Sequence, residues 1–131
     1  MDTFKINGTD FGVGSVVCKI EDGIISDLTI KSDAKMINSS IVDGKSEKWD
    51  WLTVSPEFNF RGVPSEQKDN KIVIEITEEL LDENDITFYM IEHFDLYGTL
   101  TITNDCIIVS GEIRRHMSDK KLYSLEIAAK R

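Results

Sequence analysis

Tyr97-Gly98-Thr99-Leu100-Thr101-Ile102-Thr103, then Asn104-Asp105, then Cys106-Ile107-Ile108-Val109-Ser110-Gly111-Glu112-Ile113 is the stretch that decides the fold class. Its first arm alternates strictly. Its second arm returns with Ile107, Val109, Gly111 and Ile113 on one face. Side chains of a strand point to opposite faces in turn, so alternation of this kind predicts a half-buried strand. Asn-Asp between the arms is turn chemistry, and β-branched residues fill both arms. The stretch therefore reads as an antiparallel hairpin.

The same signals recur outward from it. Val16-Val17-Cys18-Lys19-Ile20 leads through Glu21-Asp22-Gly23 into Ile24 to Ile30, a strand, a tight turn and a strand, with Asp-Gly supplying positive φ. Asn70 to Thr77 alternates with Ile72, Ile74 and Ile76 inward. Leu122 to Ala129 reads as the last strand, with Tyr123, Leu125 and Ile127 on one side. Thr77 is placed to cap a short helical turn, with Glu78 and Glu79 near its positive end. Ile86 to Phe94 favours strand. Residues 32–48 are polar apart from Met36, Ile37, Ile41 and Val42, and read as a long loop or short excursion. Gly12-Val13-Gly14 reads as a flexible entry to a strand. The chain has 131 residues, near the commonest domain length, and reads as one domain over 1–131. The expected fold is mostly β, an antiparallel sandwich or small barrel with at most one or two short helices.

Net charge is −9, and its distribution is uneven. No Lys or Arg lies between Lys71 and Arg114, a window holding ten acids: Glu75, Glu78, Glu79, Asp82, Glu83, Asp85, Glu92, Asp95, Asp105 and Glu112. Residues 1–71 carry −3 and residues 114–131 carry +4. Such a window repels phosphates, so neither nucleic acid nor an anionic membrane is an expected partner. A basic protein would be attracted and steered in, although an acidic surface also serves solubility alone. The cluster from Glu78 to Asp85 lacks the alternating Asp/Asn spacing and central Gly of a calcium loop, and no metal is expected.

Chemistry-bearing motifs are sparse. No GxSxG, HExxH, GxxxxGK[ST] or GxGxxG occurs, so no catalytic residues and no cofactor are assigned. A strand through Glu92-His93-Phe94-Asp95 puts His93 and Asp95 on one face, half of an acid–base or metal site with no nucleophile to complete it. His116 follows Arg114-Arg115. Cys18 and Cys106 each lie in an apolar run without metal or redox spacing, and are expected as free thiols. The amino-terminal residues Met1-Asp2-Thr3-Phe4-Lys5 show no secretory pattern, and no apolar run has membrane-helix length, so a cytoplasmic location is expected. Trp49, Trp51, Phe58 and Phe60 cluster around Ser55-Pro56. They form either core or a stacking platform for an apolar or carbohydrate ligand.

In size, acidity and absence of catalytic motifs, the chain resembles the immunity proteins with which bacteria neutralise secreted toxins. The resemblance implies a cytoplasmic inhibitor, not an enzyme, that covers a basic toxin domain, often a nuclease, with acidic side chains. On that basis Glu78, Glu79, Asp82, Glu83 and Asp85 are the expected contact surface, with Tyr89 and Tyr97 as aromatic anchors. The alternative is a binding module that uses Trp49, Trp51, Phe58 and Phe60.

Overall fold

A computed structural model describes residues 2–33, 36–40, 47–90 and 92–131; over 36–40 and 47–54 it describes the backbone alone. Among the described residues, fourteen strands and one short helix follow in the order β1 (Thr3–Ile6), β2 (Thr9–Asp10), β3 (Val13–Glu21), β4 (Ile24–Ser32), β5 (Met36–Ser40), β6 (Glu47–Val54), β7 (Glu57–Arg61), β8 (Val63–Pro64), β9 (Gln67–Lys68), β10 (Lys71–Ile76), α1 (Glu78–Glu83), β11 (Asp85–Met90), β12 (Glu92–Ile102), β13 (Cys106–Arg114) and β14 (Tyr123–Lys130). The fold is mostly β, with antiparallel pairing that curls into a half-barrel.

The decisive stretch folds as its alternation requires. β12 and β13 pair antiparallel from Asp95↔Arg114 to Ile102↔Ile107. Leu100, Ile102, Ile107, Val109 and Ile113 are buried. β14 adds Tyr123, Leu125, Ile127 and Ala129 to the same core, and β10 adds Ile72 and Ile76, with Ile74 partly buried against it. At the β3–β4 turn, Asp22 takes φ 51° and Gly23 φ 75°, the paired positive values of a tight hairpin.

The main sheet runs β2-β1-β14-β13-β12-β11-β7-β4-β3, with β10 also against β12 and β9 against β10. β8 continues along β4 from β7. β12 carries the curl. Its residues 92–94 pair with β11, and its residues 95–102 pair with β13. One strand thus belongs to both walls, and Phe4 of one wall meets Phe88 of the other at a ring separation of 6.2 Å. Beyond that change of partner, Gly98 lies opposite Gly111. A Cβ on Gly111 would lie 2.0 Å from the Tyr97 carbonyl oxygen, so the two backbones approach more closely than any other residue permits. The ends of the sheet are tied by Phe11-Gly12 between β2 and β3. Phe11 N donates to Phe4 O at 2.7 Å, and Asp33 N donates to Gly12 O at 3.0 Å.

Of the long loop or short excursion expected over 32–48, the loop is corrected: the described part holds a strand end and a hairpin apart from the main sheet. β4 extends through Ser32, and residues 36–40 pair with β6 as a hairpin, from Met36↔Val54 to Ser40↔Glu47. Backbone pairing does not depend on apolar side chains, which is why the polar run Asn38-Ser39-Ser40 gave no strand signal. Residues 34–35 and 41–46 of that expectation lie outside the described residues.

Candidate functional site

α1 owes its place to two leucines and a cap. Leu80 and Leu81 are half-buried against the core. Thr77 Oγ1 accepts from Leu80 N at 3.3 Å, and Asn84 Nδ2 closes the other end on Leu80 O at 3.0 Å. With the leucines inward, Glu78, Glu79, Asp82 and Glu83 are all exposed, and they line a shallow concavity with Thr77. The two acids of the first turn suit the helix dipole. Asp82 and Glu83 oppose it, and no basic residue relieves the last turn.

The remaining residues expected at a contact surface divide between two places. On β11, Ile86, Phe88 and Met90 are buried while Asp85, Thr87 and Tyr89 face outward. Opposite them stand Arg61, Asn59 and Glu57 of β7, and His93 of β12 opposite Tyr89. These seven side chains line a groove of about 400 Å³. Tyr97 lies further along β12, beside Glu78, Arg114 and Met117. The Arg114 guanidinium stacks 4.1 Å over its ring and is held by Glu112 at 3.0 Å. Burial pushes the Tyr97 phenol above its ordinary range, and Asp95 and Glu78 add to the shift. The outward row His93, Asp95, Tyr97 connects the two places, spanning about 13 Å at a strand's rise per residue.

The structure also redistributes the charge. The window free of Lys and Arg is not a continuous acidic surface, because other residues bring basic side chains to it. Arg114 pairs with Glu112, Arg115 Nη1 with Glu92 at 3.4 Å, and His116 Nδ1 with Asp95 Oδ2 at 3.2 Å. Arg61 stands in register with Asp85. Glu75 accepts from Thr99 Oγ1 at 3.0 Å. What is left without an ion pair or side-chain hydrogen bond, among the described residues, includes all four acids of α1. Sequence reasoning missed Arg61, Arg114, Arg115 and His116 as neighbours of this surface. For the last three, the only signal was their place at the end of the strand that pairs with β12.

His93 and Asp95 share a face, as alternation requires, but they do not form one unit. His93 sits edge-on to Tyr89 at 5.0 Å, and Asp95 is engaged by His116. Phe58 and Phe60 are fully buried with rings 5.1 Å apart, so they are core residues and offer no stacking surface. The side chains of Trp49 and Trp51, on β6, lie outside the described residues. Cys18 and Cys106 are half-buried free thiols. Among the described residues, no group of three or more His, Cys, Asp or Glu is arranged to hold a metal ion, and no helix is long and apolar enough to cross a membrane. Comparison with protein-family models, with curated proteins and with solved structures finds no match to this chain.

Proposed function

We propose that this chain is an immunity-type inhibitor that binds and neutralises a basic toxin domain in the cytoplasm, with α1 as its charged contact surface. The observation that carries the reading is the state of the four α1 acids. Most other acids of the window are matched by Arg, His or a hydroxyl, whereas Glu78, Glu79, Asp82 and Glu83 stand exposed and unmatched. Helix stability accounts for Glu78 and Glu79 at the first turn but not for Asp82 and Glu83. Acids in a last turn cost about 0.3–1 kcal/mol each against the dipole. An attracted basic surface offsets that cost only when it is bound. Tyr97, stiffened by Arg114, adds an aromatic anchor of the kind that dominates interface energetics. Asp85 and Tyr89 extend the same contact along β11.

The test is a fourfold variant, Glu78→Gln, Glu79→Gln, Asp82→Asn and Glu83→Gln, assayed against a basic toxin domain captured on the wild-type protein. Wild type should restore growth of cells expressing that domain. The variant associates more slowly and with a flatter salt dependence, because screening acts on the removed charges. Unchanged association rates at low salt would show α1 to be a solvated face and would overturn the reading.

A further inference from the structure

The groove between β7, β11 and β12 contains an unused set of acceptors. Asn59 is 6 % exposed, one of two buried polar residues among those described. Its amide orientation is set by a hydrogen-bond chain. Thr29 Oγ1 donates its single proton to Asp27 Oδ1 at 2.8 Å, so toward Asn59 it acts only as acceptor, and Asn59 Nδ2 is the donor. The Asn59 Oδ1 atom accepts no hydrogen bond among the described residues. A buried acceptor left open is costly unless something fills it.

Two residues along β7, Glu57 is half-buried in the same groove. Its carboxylate makes no ion pair or side-chain hydrogen bond among the described residues, although Lys31 lies opposite it on β4. The two acceptors are separated by about 7 Å along the strand. Thr87 stands across from Asn59 and Tyr89 across from Glu57, with His93 edge-on to the Tyr89 ring. A carboxylate, an amide oxygen, a hydroxyl and an aromatic ring on one groove match a planar cation with several donors. A guanidinium is such a group, and an ammonium is not planar. Arg61, the groove's own cation, stands in register with Asp85, two residues or about 7 Å from Asn59; it is four residues or about 13 Å from Glu57, so only the Glu57 end of the groove lies beyond its reach at physiological salt.

We propose that this groove is a binding site for a guanidinium group, an arginine side chain presented by the partner, held by Glu57 and Asn59 against Tyr89. The proposal rests on the preceding reading only for the source of the arginine; the site itself is tested without a partner. The probe is the peptide acetyl-Gly-Arg-Gly-amide, titrated into the isotope-labelled 131-residue chain. Its neutral isostere, with citrulline in place of arginine, is titrated in parallel. The Asn59 side-chain amide and His93 ring resonances should shift saturably with the arginine peptide and not with citrulline. Glu57→Gln should weaken binding about tenfold, the loss expected for one charge-assisted hydrogen bond. Lys31→Gln should tighten it, because it removes a competing cation. Both residues have access to solvent, so neither variant should disturb the fold. The proposal is overturned by no saturable shift, by an equal response to citrulline, or by an affinity that neither variant changes. Because α1 plays no part in this titration, its outcome stands apart from that of the fourfold variant.

Discussion

Gly111→Ala should disrupt the β12–β13 pairing at a cost that can be worked from distances. A Cβ at Gly111 would meet the Tyr97 carbonyl oxygen at 2.0 Å and Gly98 Cα at 2.9 Å, against ordinary contact at 3.4–4 Å. These are backbone atoms, so no rotamer change relieves the clash. β12 must retreat by about 1.4 Å, the gap between 2.0 and 3.4 Å. Ladder hydrogen bonds at about 2.9 Å would then open past 4 Å and be lost. Two such bonds at about 1 kcal/mol each, with about 1–3 kcal/mol for overpacking the neighbouring core, give about 3–5 kcal/mol. That is a large share of the roughly 5–15 kcal/mol that holds a domain together. With a urea m-value of about 2 kcal/mol/M, the midpoint should fall by about 1.5–2.5 M. Gly98→Ala should behave alike, since its Cβ would lie 2.2 Å from Ser110 O and its φ is 150°. Gly8→Ala is the control. Its φ is also positive, at 81°, but nothing lies within 4 Å, so only the backbone preference of about 1 kcal/mol is lost. Equal midpoints for Gly111→Ala and Gly8→Ala would refute the close approach as the source of the cost.

Asp10 Oδ1 accepts from Phe4 N at 3.0 Å and Gly12 N at 2.9 Å, and these bonds hold its carboxyl below the ordinary aspartate range. A depressed folded value means stabilisation that is complete above the unfolded pKa of about 3.9 and lost as pH falls through the lower folded value. Urea midpoints across that acidic window should therefore fall more steeply for wild type than for Asp10→Asn, and parallel curves would contradict the assignment. Burial raises the Cys18 thiol above its usual value, and Arg131 beside it works against the shift. Native Cys18 should react slowly with a disulfide reagent, and more slowly still in Arg131→Ala. The denatured protein should titrate two thiols without reductant, and a count of none would mean a disulfide.

Much of the wall structure was legible because one face of β10, β11, β12, β13 and β14 is buried, which imposes a period of two on their residues. Leu100, Ile102, Ile107, Val109 and Ile113 follow it, and so do Ile86, Phe88 and Met90. Thr77 was legible as a cap because its hydroxyl serves a local amide three residues on. Of the β5–β6 hairpin, the β6 arm was legible through the alternation of Trp49 and Trp51, whereas the β5 arm was not, since backbone pairing leaves no mark in the polar run Asn38-Ser39-Ser40. The candidate surface was half legible. The acids of α1 are exposed as their helical spacing between Leu80 and Leu81 implies. The groove was not legible, because Asn59 and Glu57 lie 34 and 36 residues before His93 and acquire meaning only through cross-strand register.

The sequence by itself determined the β class, the hairpin turns, the capped helix and the acidic bias, all of which rest on interactions between residues close along the chain. Only the tertiary structure decided that β12 belongs to two walls, that Gly98 meets Gly111, and that Arg61, Arg114, Arg115 and His116 stand among the acids. The physical reason is that strand order and register are chosen by burial summed over the whole core, a quantity to which distant residues contribute as much as near ones. Charge follows the same logic. A count along the chain records how many acids there are, and only the fold records which of them remain without a cation.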